Sequence, residues 1–172
     1  MTHPPPWYTP WFASLEFDKV DYGVGGVELF QLKAIPEGQL GYAVASDGKS
    51  LAGIEPGDWR PEWVVIGYET ACGDPVFVSQ VMPHPVFTAM HGEGFWDPDL
   101  IAPSLESFRN CLEVFRRFAH GRSCPAEVEA NPPSKQEKSQ FLRDIKRLTD
   151  DDSEAWGFWA VRIDLDPEEC EG

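Results

Sequence analysis

The residues best suited to chemistry fall in two places. In the run VVIGYETACGDPVFVSQ, residues 64–80, Cys72 stands between Glu69 and Asp74 and beside Gly73. Further on, His84 and His91 are followed by Glu93, Asp97 and Asp99. A nucleophilic cysteine needs a neighbouring cation or imidazole to stabilise its thiolate. Cys72 has two flanking acids and no flanking base, so the spacing points to the bend of a hairpin. A zinc site would draw on the two histidines and the acids. No HExxH motif is present, and the histidines flank a predicted strand, which places them at its opposite ends. Gly23-Val24-Gly25-Gly26 has no following lysine and no strand-to-helix context, so it reads as a loop entering a strand and not as a phosphate cradle. Acid pairs suited to glycoside hydrolysis abound in so acidic a chain, but abundance is not specificity. The expectation is no catalytic group, no metal and no cofactor.

Elements must be found to position these residues. The chain has 172 residues, the length of one ordinary domain, and its 42% apolar content and seven tryptophans are enough to build a core. No apolar run reaches the roughly 18 residues that a membrane span needs. The start, MTHPPPWYTPW, has neither the basic nor the apolar region of a signal peptide. The cysteines at 72, 111, 124 and 170 include no CxxC pair, which suits reduced thiols in a cytoplasmic protein.

Residues 1–18 carry prolines at 4, 5, 6 and 10 among Trp7, Tyr8, Trp11 and Phe12, and are expected to lie across the body as an extended, ordered arm. Residues 19–121 form the main body. Short apolar runs separated by turn residues predict strands over Val27–Ala34, Leu40–Val44, Trp63–Gly67, Val76–Gln80 and Val86–Met90, arranged as an antiparallel meander. From Ser104 the period changes. Leu105, Phe108, Cys111, Leu112, Phe115, Phe118 and Ala119 draw one helical stripe, with Arg116, Arg117 and His120 near its end and Gly121 placed to stop it. Residues 122–172 open with a linker, Ser123 to Pro133. Ser134 and Glu137 then have capping-box spacing ahead of Phe141, Leu142, Ile145 and Leu148. A last helix beginning near Asp152 would bury Trp156, Trp159, Ala160 and Ile163, although 159–165 also alternates like a strand. The acidic tail from Asp164 is expected to fray. The fold class expected is α+β, a largely antiparallel sheet packed by C-terminal helices in a single domain.

Charge narrows the function. Twenty-nine acids against fourteen basic residues give a formal net charge of −15, and between Ser50 and Phe108 nine acids face only Arg60. Such a field repels nucleic acid and anionic membrane and attracts basic proteins over a Debye length of about 8–10 Å. The plainer reading is a solubilising surface. The sharper one is a docking face, because complementary fields raise association rate and specificity.

The runs PEWVVIGYETACGDPVFVSQ, HPVFTAMHGEGFW and IAPSLESFRNCLEVF, taken in order, resemble the core of the SUKH superfamily. Its members are immunity proteins of bacterial toxin systems and fungal regulators of cell-wall synthesis. The corresponding elements are Ile66-Gly67, Gly73-Asp74, Pro85-Val86, His91-Gly92 and the helix within Ala102–Phe115, with Gly25–Leu32 similar to the first strand. The resemblance spans about residues 24–118. It implies an α+β domain that binds and neutralises a cognate toxin, often a nuclease, without catalysis. A regulatory scaffold with several weak partners is the second reading, and a small hydrolase the third. If the strands pair in order, the turn holding Glu69 and Asp74 falls at the same end as the loop holding Glu93, Phe95, Trp96, Asp97 and Asp99. Those seven residues are the candidate partner-binding group, with carboxylates to steer and exposed aromatics to anchor.

Overall fold

The computed structural model describes residues 4–163. The tail expected to fray lies outside the described residues. Among the described residues the architecture is α+β: one six-stranded antiparallel sheet in sequential order with five α-helices. The strands are β1 (Lys19–Tyr22), β2 (Gly25–Leu29), β3 (Trp63–Glu69), β4 (Pro75–Ser79), β5 (Val86–Thr88) and β6 (Asp99–Ala102). The helices are α1 (Tyr8–Ala13), α2 (Leu105–Ala119), α3 (Pro125–Ala130), α4 (Lys135–Leu148) and α5 (Ser153–Arg162). None of the described helices is long and apolar enough to cross a membrane.

The unbroken apolar runs of β3 and β4 follow from burial on both faces. Side chains alternate along a strand, so Val64, Ile66, Val76 and Val78 enter the core beneath the helices. Trp63, Val65 and Phe77 point the other way, into a second cluster with Trp59 and Ala89. None of the described α-helices contributes to that second cluster. The long connection between β2 and β3 does so, laying Tyr42, Ala43, Ala52 and Trp59 over it. One buried side chain fixes this cover. β2 ends at Leu29 and does not reach Val65, and Gln39 takes the vacant ladder position. Its Nε2 donates to the Val65 carbonyl at 2.9 Å, and its Oε1 accepts the Val65 N–H at 3.0 Å.

On the first face α2 supplies the predicted stripe. Ser104 caps it by accepting from the Ser107 N–H, and Gly121, at φ +69°, turns the chain away. The capping box of α4 forms between Ser134 and Glu137. Asp152 caps α5 through the Glu154 and Ala155 N–H groups, which settles residues 153–162 as helix. Trp159 is fully buried, and its indole N–H donates to the Ile101 carbonyl at 3.0 Å, so α5 is tied to β6. Arg122, also buried, joins three helices: it donates to the Phe118 carbonyl at the end of α2, the Asn131 carbonyl after α3 and the Glu137 carboxylate of α4.

Several expectations need correction. The N-terminal segment is not extended. Tyr8–Ala13 is helical, because Pro10 sits in the first turn, where a missing N–H costs nothing. Tyr8 and Trp11 are buried, and the Trp11 indole donates to the Leu105 carbonyl at 2.9 Å. The strand expected over Val27–Ala34 stops at Leu29, and Leu32–Ala34 is a 3-10 turn. Leu40–Val44 is not a strand: Gly41 adopts φ +84°, and the segment belongs to the cover over the second face. The fifth strand ends at Thr88. Two short edge strands, β1 and β6, went unread, as did α3 inside the expected linker.

Two outcomes follow. Truncation after Gly121 removes Phe141, Leu142, Ile145, Trp156, Trp159 and Ile163 from the core, and each buried side chain is worth roughly 1.5–3 kcal/mol. The truncated protein should aggregate or melt far below the full chain in differential scanning calorimetry; an unchanged melting temperature would contradict this packing. The second outcome concerns pH. The Ser134 backbone N–H and then the Arg122 guanidinium hold the Glu137 carboxyl down at about 2. Its folded pKa lies below the unfolded value, so its contribution is present above about pH 4.3 and is lost as pH falls through about 2. Glu137→Gln should lower the melting temperature at pH 7, and the gap to wild type should narrow between pH 4.5 and pH 2. A gap independent of pH would contradict the assignment.

Candidate functional site

Strict alternation of antiparallel strands brings three connections to one end of the sheet: Gly23-Val24 between β1 and β2, residues 70–74 between β3 and β4, and residues 89–98 between β5 and β6. The last two are stapled together. Asp74 Oδ1 accepts the His91 backbone N–H at 3.1 Å and lies 2.7 Å from its ring Nδ1. The Glu69/Asp74 turn and the 93–99 loop therefore share one end, as the order of strands requires.

Within that end the seven expected residues have different fates. Glu69 is buried, and both its oxygens are used internally: they accept the Ala71 N–H at 2.7 Å and the Cys72 N–H at 2.8 Å. It shapes the turn and does not face a partner. Gly25 lies against it across the sheet, where an added Cβ would come within 3.1 Å of Oε1 and 2.9 Å of the Ala71 Cβ. Trp96 is not an exposed anchor either. It is half-buried, packs on Tyr42 and edge-on to Trp59 at ring separations of 5.4 and 5.2 Å, and donates its backbone N–H to Gly57. Trp96 thus seats its loop on the second apolar cluster.

The remaining residues do meet solvent. Glu93, Phe95, Asp97 and Asp99, joined by Met90, line an open cleft of about 350 Å³. Phe95 is 54% and Met90 63% exposed, a large apolar area to leave in water. Partial burial, and then the neighbouring charges of Glu154 and Asp97, raise the Asp99 carboxyl above its ordinary value. Like charges crowded in this way make an added cation favourable. Asp74 is partly exposed and holds the floor between the loops. Met90 was missed by the sequence reading, because a methionine after a strand carries no signal of what it will line.

The other chemistry-bearing residues are also placed. His84 lies at the opposite end of β5 from His91, stacked on Trp7 at 4.6 Å with its Nδ1 3.0 Å from the Ser79 carbonyl. Cys72 is exposed at the hairpin bend. Ligand atoms of Glu69, Cys72 and Asp74 lie within 4.8 Å of one another, a spacing that could admit a metal ion. The same carboxylates already accept four hydrogen-bond contacts from Ala71, Cys72 and His91. Gly23-Val24 is the hairpin turn joining β1 to β2, with Gly23 at φ +59°, and Gly25-Gly26 open β2.

Glu69→Ala should strand the Ala71 and Cys72 N–H groups, and hydrogen bonds to a charged group are worth about 1.5–3 kcal/mol. A loss of about 2 kcal/mol in urea unfolding is expected, partly recovered in Glu69→Gln. An unchanged urea midpoint would mean that the turn holds without its carboxylate. Compared with known proteins, the chain matches no family model, no curated protein and no solved structure.

Proposed function

We propose that the protein is a non-catalytic binding protein that neutralises a basic toxin, such as a nuclease, in the cytoplasm of the producing cell, in the manner of the SUKH immunity proteins its sequence resembles. The observation that carries this reading is the gathering of Glu93, Asp97 and Asp99 around exposed Phe95 and Met90 at one end of the sheet. Carboxylates in that arrangement steer a basic partner, and the two apolar side chains give it surface to bury. The rest of the molecule favours the same partner. A net charge of −15 opposes nucleic acid and anionic membrane as direct ligands. Rigidity adds to the case. The loop is held by Trp96 underneath and by the Asp74–His91 staple at its side, so little ordering is left to be done on binding.

The test is association kinetics with a panel of basic bacterial nuclease domains at 50 and 500 mM salt. The cognate pair should associate at least about tenfold faster at low salt. Substitution of Glu93, Asp97 and Asp99 together by lysine should slow association about tenfold at low salt and flatten the salt dependence. The melting temperature should stay within a few degrees, since all three are exposed. An unchanged on-rate at low salt would place the binding face elsewhere.

A further inference from the structure

Beside the acidic cleft, at the same end of the sheet, lies a larger cavity of about 570 Å³ that shares none of the cleft's lining residues. Four elements build it: the β1/β2 turn, the β3/β4 turn, α3 and the end of α5. Its walls are largely apolar, with Val24, Val128 and Val161 among the lining side chains. Val24 is 83% and Val161 60% exposed, so two branched side chains stand in solvent on its rim. Arg162, the last residue of α5, also lines the cavity. Its guanidinium lies 3.3 Å from the centre of the Phe158 ring, and Nη1 donates to the Phe158 carbonyl at 2.6 Å. The Nε–H is buried and has no acceptor among the described residues. Burial brings this guanidinium down to about 10, against the opposing charges of Glu69 and Asp74.

We propose that this cavity binds a neutral small molecule that joins an aliphatic body to a carbonyl oxygen. The body covers Val24, Val128 and Val161, and the oxygen accepts from the edge of Arg162 that carries the Nε–H. This site is separate from the docking face and does not depend on it. A buried donor without an acceptor is unfavourable, so a ligand oxygen supplies what the described chain does not. A cavity of this size, mostly apolar with few polar groups, is the usual form of a small-ligand site. Charge decides among occupants. A cation would meet the guanidinium, and the nearby carboxylates are committed, Glu69 to the Ala71 and Cys72 N–H groups and Asp74 to His91. The same objections apply to a metal ion at Glu69, Cys72 and Asp74. An anion would find Arg162 already balanced by Glu69 and Asp74, with exposed Glu129 adding a further negative charge. A hydrocarbon would leave the Nε–H unpaired. A neutral acceptor meets none of these objections.

Methyl-labelled protein titrated with cyclohexyl probes of different charge, and followed by NMR, tests this directly. Cyclohexyl methyl ketone should give saturable shifts of the Val24, Val128 and Val161 methyls and of the Arg162 Nε–H resonance. Cyclohexylmethylammonium and cyclohexanecarboxylate should bind at least about tenfold more weakly, which corresponds to about 1.4 kcal/mol. Arg162→Lys keeps the charge but removes the Nε–H, and should weaken the ketone about tenfold. Should that variant fail to fold, movement of the Nε–H resonance in the wild-type protein decides the same point. The lysine substitutions at Glu93, Asp97 and Asp99 should leave the ketone response intact. Equal or tighter binding of either charged probe would overturn the proposal. Valine shifts with a motionless Nε–H resonance, or no saturable response to the ketone, would overturn it as well.

Discussion

Burial of β3 and β4 on both faces is the constraint from which the rest of the structure follows. An isolated antiparallel sheet can leave one face wet. Here Val64, Ile66, Val76 and Val78 on one side and Trp63, Val65 and Phe77 on the other must all leave water. Helices meet the first demand, with α2 across the sheet and α5 anchored through Trp159. The second demand is met by irregular chain, which has backbone groups to satisfy and no periodic face to offer. Gln39 resolves that difficulty by pairing with both backbone groups of Val65, and aromatic packing among Tyr42, Trp59 and Trp96 fills the space beneath.

The acidic end inherits its rigidity from this cover. Trp96 belongs to the second cluster, so the loop between β5 and β6 is pinned from below. Asp74 holds the same loop from the neighbouring turn, and Glu69 holds that turn from within. Two of the acids in this region are thus structural, and the others are free to face outward. A surface that presents charge on a preorganised frame loses little entropy on association, which is the property that a tight neutralising protein needs.

What was legible in the sequence was local or periodic. The central strands announce themselves by β-branched runs, and α2 and α4 by their stripes and caps, because capping and amphipathic spacing are properties of a few adjacent residues. The shared end of the acidic loops was legible too, since sequential antiparallel strands leave no other place for them. β1 and β6 were not, because each has four residues and offers too little alternation. The N-terminal helix was hidden by its prolines, and the cover over the second face by aromatics that read equally well as strand. Neither the inward role of Glu69 nor the packing of Trp96 could be read, because an acid's partners here are backbone N–H groups and an indole's are distant rings. The cavity around Val24 and Val161 draws on four separated segments and leaves no pattern along the chain.

The central claim is that the turns at one end of the sheet form the binding face. Amide hydrogen exchange, compared between the free protein and its complex with a basic toxin, tests it most directly. The account predicts new protection at residues 22–25, 70–74 and 89–99, with the opposite end around residues 80–85 unchanged. Protection confined to residues 80–85, or to the outer surface of α4, would contradict it.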